Sequence, residues 1–561
     1  MVAVHGSALM RRVAASPMRL VASWRARGPE RLFIAPQDIR TTDPTIANDI
    51  YAGYFAFGGR IVNAHGRSPF EIESASSQWS RALAGFGWLR HLRAAETALS
   101  RANARALVDD FLTHLGKPGP VIAWEPKVAA RRLLSWLSQS PIILDGADRD
   151  FYRRFMRGLG RHQWFLQRAL VEGLTGESRL LVSIALAELH LCAKETPNVQ
   201  KRSTKSLGDE LARQILPDGG HISRNPQVLV DLLLDLLPLR QAYAARGVQA
   251  PPQLLNAIDR MMPILRLFRH GDGNLALFNG MGVSAPDLLA TLLAYDDARS
   301  RAIGNAPHTG YQRLEAEGAV VIVDAGRCPP PLFSLQAHAG CLSFEFSHYD
   351  QRIVVNCGAP DAGRAEAREI ARMSAAHSTL ILEDTSSCRF ASHSPMRKWL
   401  AGQIFAGPEN VSVARRASEE GETLDLSQDG YAARFGLVHE RKLSLAPDGA
   451  KLSGLDRLCA SSKSDETVPD RAYLLRFHIH PGVLLTRIWE GRGVLIDMSD
   501  GTSWVFQAGG HDVTIEESIF FAAPNGPRNC EQIVVTARSG EYPQVEWSFE
   551  QLPVNTTLES D

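Results

Sequence analysis

The 561-residue sequence predicts an α+β multidomain chain, a helical N-terminal half followed by an antiparallel β-rich half. Three observations predict it. Apolar residues recur at helical spacing from about residue 75 to 300. From about 310 the pattern shortens into strand-like runs separated by Gly, Asp and Pro turns. Helices come first and strands afterwards, which argues for separate domains.

In the first half, Ser77–Leu92, Arg131–Leu137 and Leu180–Leu191 place aliphatic and aromatic residues at helical spacing. Val228–Leu239 is apolar nearly all round and reads as an inner helix. Gly116–Pro120 and Pro217–Gly220 punctuate these blocks. Periodicity alone leaves a toroid, a solenoid and a bundle open. In the second half, Ala319–Asp324 reads as a buried strand, followed by runs at Tyr431–His439, Arg441–Leu445, Tyr473–His480, Gly493–Met498, Ser503–Phe506 and Gln544–Phe549. Many short strands with few helices imply a β-sandwich. The divisions expected are an N-terminal arm over 1–35, a helical domain over 36–305 and a β-sandwich domain over 306–555.

Lys+Arg and Asp+Glu each number 61, so no net charge draws the chain to nucleic acid or an acidic membrane. No apolar run is long enough for a transmembrane helix. The N-terminal segment carries Arg11, Arg12, Arg19, Arg25, Arg27 and Arg31 and lacks the continuous apolar core of an export signal. It reads as a surface arm or an interfacial helix. Seven cysteines without close pairing argue against a disulfide framework, and without CxxC against a thiolate zinc site. Each reads as a small buried hydrophobe.

The stretch Phe333–Ser347, with Arg352–Gly358 and Ala375–Leu380, sets His338, Asn356 and His377 among alternating strand patterns. In wording and order it resembles the C-terminal domain of the heparinase II/III family of polysaccharide lyases. The similarity runs over about 75–545 and includes Leu216–Pro226 and His270–Gly280. It implies an α/α toroid followed by a β-sandwich. It also implies β-elimination on a uronic-acid polysaccharide, in a cleft between the domains. That chemistry needs neutralisation of the uronate carboxylate, a base for the C5 proton and an acid for the leaving O4.

Among the polar loop residues, His221 is the candidate C5 base, because an imidazole titrates near neutral pH, and Arg224 and Asn225 are candidates for the carboxylate. His270 or Tyr243 is the candidate acid, with His338 alongside and Tyr243 otherwise substrate-binding. Asp272, Asn279 and Trp164 follow as substrate-binding residues. No cofactor is required. A structural zinc at His338, Asn356 and His377 is implied by the family's metal-bearing members, and a hydrogen-bonded polar cluster is the alternative. The chain departs from the family pattern at Gln336 and Gly340, where His and Asp are usual. It departs again at Glu172–Ser178, which lacks an Asn-His pair, and at Val228, where a Tyr is expected. The alternative function is therefore a catalytically silent glycan-binding or envelope-associated protein that keeps the lyase fold. The partner expected is an acidic polysaccharide, with a homo-oligomer allowed. The family implies the envelope or periplasm, and the N-terminal segment leaves a cytoplasmic location open.

Overall fold

The computed structural model describes residues 28–194, 196–295, 301–361, 363–391, 402–461 and 468–553. The arginine-bearing segment before residue 28 lies outside the described residues, as do residues 296–300 ahead of the expected domain boundary at 305. Contacts divide the chain into two units, one of residues up to Gln214 with Leu232–Ile258, the other of Ile215–Asp231 with Asp259 onward.

The first unit is an α/α toroid. Its helices include α1 (Ser77–Gly85), α2 (Ala98–His114), α3 (Pro126–Ser138), α4 (Arg149–Val171), α5 (Glu177–Cys192) and α6 (Pro197–Gln214). Local signals start them. Ser76 caps α1, Thr97 and Ser100 form a capping box on α2, and Asp148 accepts from the Asp150 and Phe151 N–H groups on α4. Every residue of α5 from Leu180 to Cys192 is buried, apolar residues on every face enclosing Ser183, Glu188 and His190. The core gathers Phe86, Phe111 and Phe155 around Trp136, with ring centroids 5.4–5.7 Å away. Trp79, Trp88, Trp124 and Trp136 are all core residues.

Arg132 lies in this core with no carboxylate beside it among the described residues. It donates to the Ala84 and Ala123 carbonyls at 2.8 Å and to His162 Nε2 at 2.8 Å, and it lies 4.3 Å over the Phe111 ring. His162 Nδ1–H meets the Gly158 carbonyl at 2.8 Å. Both ring nitrogens are therefore spent on packing within the toroid core.

The second unit is an antiparallel β-sandwich. Strands β1 (Tyr54–Phe57) and β2 (Arg60–Asn63) form a hairpin in the first unit. The sandwich unit begins with β3 (Asn305–Ala306), β4 (Tyr311–Ala316), β5 (Ala319–Asp324), β6 (Phe344–His348), β7 (Gln351–Val355) and β8 (Leu380–Leu382). It continues with β9 (Arg389–Phe390), β10 (Ile404–Ala406), β11 (Val411–Ser418), β12 (Gly421–Gln428), β13 (Leu437–Leu445) and β14 (Lys451–Ala460). It ends with β15 (Ala472–Ile479), β16 (Leu484–Ile488), β17 (Gly493–Asp497), β18 (Ser503–Gln507), β19 (Val513–Phe520), β20 (Arg528–Arg538) and β21 (Gln544–Gln551). One sheet runs β19-β20-β15-β7-β6-β5-β4-β3, with β8 beside β15, and the other runs β11-β12-β13-β14-β21-β18-β17-β16. Tyr431–Phe435, expected as strand, is instead a helical turn with Gly436 in the left-handed region (φ 69°), and β13 starts only after it.

Alternation fixes the faces. On β6, Phe344 and Phe346 enter the sandwich core with Phe477, Phe506, Trp504, Trp547 and Phe549. Glu345 and Ser347 therefore point from the opposite face. The same parity puts Tyr311, Arg313 and Asp324 on that face. Two loops of this unit, Leu216–Asn225 and Phe268–Gly280, receive these polar side chains.

Candidate functional site

The Leu216–Asn225 loop is tied down before any ligand is considered. Leu216 N–H donates to the Gly220 carbonyl at 2.8 Å. Asp218 accepts from the His308 and Thr309 N–H groups at 2.8 and 2.6 Å and from the Thr309 hydroxyl at 2.6 Å. Gly219 is obligatory: its φ is 95°, and a Cβ there would stand 2.0 Å from the Arg260 carbonyl oxygen.

Arg224 is strained into the left-handed region (φ 61°) and buried. Its guanidinium donates to the Thr309 carbonyl at 2.6 Å, to Gly326 and Arg327 carbonyls at 3.2 and 2.9 Å, and to Asp324 Oδ1. It also lies 4.8 Å over the Tyr311 ring. Tyr311 hydroxyl donates to the Arg224 carbonyl at 2.7 Å and accepts from Asn279 Nδ2 at 2.7 Å. Asn279 Nδ2 also reaches Asp324 Oδ2 at 2.9 Å, and its Oδ1 accepts from His338 N–H at 3.1 Å. Arg224, Asn279, Tyr311 and Asp324 thus form one closed cluster. Every direction in which Arg224 would grip a uronate is occupied by protein.

His221 Nδ1 accepts from Ser223 N–H at 3.1 Å and lies 2.7 Å from Ser223 Oγ. The backbone donor fixes Nδ1 as the lone-pair nitrogen and puts the proton on Nε2. Burial pushes the imidazole down to about 3, so it is neutral. Asn225 Oδ1 caps Gln227 N–H at 2.8 Å, and its Nδ2 donates to Gln336 Oε1 at 2.8 Å. The amide of Gln336, standing where the family carries His, is therefore a tether for Asn225.

On the second loop, His270 lies 2.8 Å from Ser347 Oγ through Nδ1 and 3.1 Å from Glu345 Oε2 through Nε2. Glu345 also accepts from Arg352 at 2.7 Å, from the Leu277 and Asn356 N–H groups at 3.0 Å and from Asn356 Nδ2 at 3.1 Å. Burial alone would raise its carboxyl, but Arg352, His270 and these donors outweigh it and hold it at about 2. Burial pulls His270 below the ordinary imidazole range. Asp272 closes its own turn, accepting from Asn274 N–H at 2.9 Å and Nδ2 at 2.7 Å.

His338 and His377 meet directly, Nδ1 to Nε2 at 3.0 Å. His377 Nδ1–H meets the Met373 carbonyl at 2.8 Å, so His377 Nε2 accepts and His338 Nδ1 donates. His338 Nε2 keeps its lone pair and makes no hydrogen bond among the described residues. Asn356 is turned away from the pair: Nδ2 donates to Glu345, and Oδ1 accepts from Ser378 N–H at 3.0 Å. A zinc ion wants four converging donors, and the three residues supply two imidazoles bonded to one another and a committed amide. They do not fit a structural zinc, and no group of three or more His, Cys, Asp or Glu among the described residues is placed to hold a metal.

The structure thus brings His221, Arg224, Asn225, His270, Asp272, Asn279 and His338 into one unit. Tyr243 and Trp164 belong to the other. Tyr243 is buried against Thr204 Oγ1 at 3.1 Å, and Trp164 is half-buried with Arg168 at 5.7 Å over its ring. Asp324, Glu345, Tyr311 and Gln336 organise the loops and were missed as such. The available signal was an acidic residue inside an otherwise apolar strand, as in Phe344-Glu345-Phe346, since a buried carboxylate needs several donors.

A family model for the heparinase II/III-like C-terminal domain matches residues 298–548. FtsZ-localized protein C of Caulobacter vibrioides is 32% identical over 519 residues, covering 89% of this chain and 88% of that protein. Among solved structures, a heparinase III superposes with a TM-score of 0.67 at 13% identity, covering 89% of this chain and 80% of that one. Heparan sulfate lyase HepC from Pedobacter heparinus gives 0.62 at 14% identity, covering 96% and 88%. At such identity the structural likeness speaks for the fold alone. The sequence match along nearly the full length, the domain model and the shared toroid-and-sandwich fold agree: the chain belongs to the heparinase II/III-like family.

Proposed function

We propose that this protein is a catalytically silent member of its family that works by association with the bacterial division machinery. The observation that carries this reading is the closed cluster around Arg224. The cation best suited to a uronate carboxylate is spent on Asp324 and four backbone carbonyls. The residues that would complete the chemistry are committed in the same way. His221 holds its proton on the nitrogen away from Ser223, His270 braces Glu345, and Val228 stands where the family's Tyr is expected. Support for the division machinery comes from a relative named for its localisation with FtsZ, matched over 88% of its length.

Sedimentation tests this directly. The purified chain is mixed with FtsZ polymerised by GTP and centrifuged. It should pellet with the polymer and stay in solution when GTP is omitted. A chain that remains in the supernatant in both cases contradicts the proposal.

A second reading, β-elimination on an acidic glycan, is favoured by one observation. His338 is oriented by His377, and its Nε2 lone pair makes no hydrogen bond among the described residues. On this reading His338 takes the C5 proton, and His338→Ala abolishes turnover.

A further inference from the structure

Cys328 and Cys388 are far apart in sequence, yet their sulfurs lie 3.2 Å apart. Both belong to a small apolar cluster with Ala337, Ala339, Phe390 and Ile404, separate from the main sandwich core. Gly407 makes the meeting possible: a Cβ there would stand 2.5 Å from Cys328 Sγ and 2.9 Å from Cys388 Sγ. The two thiols differ in access. Cys328 is half-buried at the end of the loop that follows β5, while Cys388, just before β9, is 5% exposed. The other cysteines have different surroundings. Cys341 Sγ faces the Gly326 carbonyl at 3.6 Å, and Cys357 Sγ lies 3.6 Å from His478.

We propose that Cys328 and Cys388 are a site of oxidative modification, a dithiol that a peroxide converts into a disulfide. The Cys328 thiolate attacks one peroxide oxygen. The O–O bond breaks, hydroxide leaves and takes up the thiol proton as water, and Cys328 becomes a sulfenic acid. Cys388 sulfur then attacks Cys328 sulfur. The S–O bond breaks, and the hydroxyl leaves as water with the Cys388 proton. Two thiols and one peroxide give one disulfide and two waters, with two electrons passing from sulfur to peroxide.

The environments assign these roles. The hydrogen bond between the two sulfurs holds the Cys328 thiol below its ordinary range, which outweighs burial. The same bond, with burial, pushes Cys388 up. The more exposed Cys328 thiol beside the buried Cys388 as resolving thiol is the arrangement that favours a disulfide over further oxidation. The bridge has a structural consequence. Gly326 and Arg327, whose carbonyls hold Arg224, immediately precede Cys328. Oxidation therefore staples the wall of the Arg224 cluster to the segment entering β9.

The test uses the full chain treated with hydrogen peroxide, then denatured, alkylated and mapped by peptide mass spectrometry. Two of the seven thiols should be lost to alkylation, recovered as a linked Cys328–Cys388 peptide. Cys388→Ser should leave Cys328 as a sulfenic acid that a dione probe captures. Cys328→Ala should leave Cys388 reduced. Circular dichroism on both variants checks that the fold is kept. Linkages scattered among other cysteines, as expected when the chain is oxidised in denaturant, would overturn the assignment. So would Cys388 oxidation that persists in Cys328→Ala.

Discussion

Two buried arginines, one in each unit, solve the same problem differently. Arg132 in the toroid has no carboxylate partner among the described residues. Aromatic faces, two carbonyls and His162 receive it, and burial pulls its guanidinium down to about 9. Arg224 in the sandwich unit is desolvated too, but Asp324 outweighs burial and holds it above its ordinary range. The difference teaches where charge is structural. A counter-ion makes Arg224 a permanent cation at a fixed point, braced by a strained backbone, whereas Arg132 is a large polar side chain serving aromatic packing. Arg224 lies on a loop singled out from the sequence as a candidate for substrate binding, and it behaves as an organiser of its own fold.

The largest effect separating the two is expected for Asp324→Asn. It leaves Arg224 charged, buried and without its counter-ion, which costs about 3–5 kcal/mol. Denaturant unfolding of the sandwich unit reads it, and a loss under 1 kcal/mol would show that the carbonyl cage suffices alone. Acid comes next. Glu345 is held at about 2 in the fold, against about 4.3 in an unfolded chain. Its contribution, about 3 kcal/mol, is complete above about pH 4.3 and is lost as pH falls towards 2. His377, held at about 4 when folded, adds a loss that begins as pH drops below about 6.5. Glu345→Gln should flatten the lower part of that profile in a thermal melt series.

Arg132→Met should cost less than Asp324→Asn, about 1–3 kcal/mol. It orphans neutral acceptors at Ala84, Ala123 and His162 rather than a charge. Equal losses for Arg132→Met and Asp324→Asn would contradict the distinction. The smallest effect is expected at Arg81, whose fork to Glu125 at 2.7 and 3.0 Å is exposed on both sides. Arg81→Ala should move the midpoint by no more than about 0.5 kcal/mol.

Much of the fold is legible in the sequence, because its signals are periodic. Leu180–Leu191, apolar at helical spacing, and Val228–Leu239, apolar nearly all round, are found in helices, and Ala319–Asp324 is found as β5 with the same bounds. Tyr431–Phe435 fails because its apolar residues fit a helical turn as well as a strand, and Gly436 decides between them. The candidate site is only half legible. Local motifs identify the loops of His221, Arg224 and His270. What Arg224 and His270 touch depends on Asp324, Glu345 and Thr309, 75–100 residues away in the chain. Spacing along a sequence carries no information about such partners, so a motif residue and a structural one look alike until the sheet is assembled.

The most direct test of catalytic silence is ultraviolet absorbance of unsaturated uronate during incubation of the purified chain with a panel of uronic-acid polysaccharides. No rise above a protein-free blank on any substrate, for the native chain and for His338→Ala alike, is the result predicted. A rise in the native chain that disappears in His338→Ala would contradict it and establish His338 as the base of a working lyase.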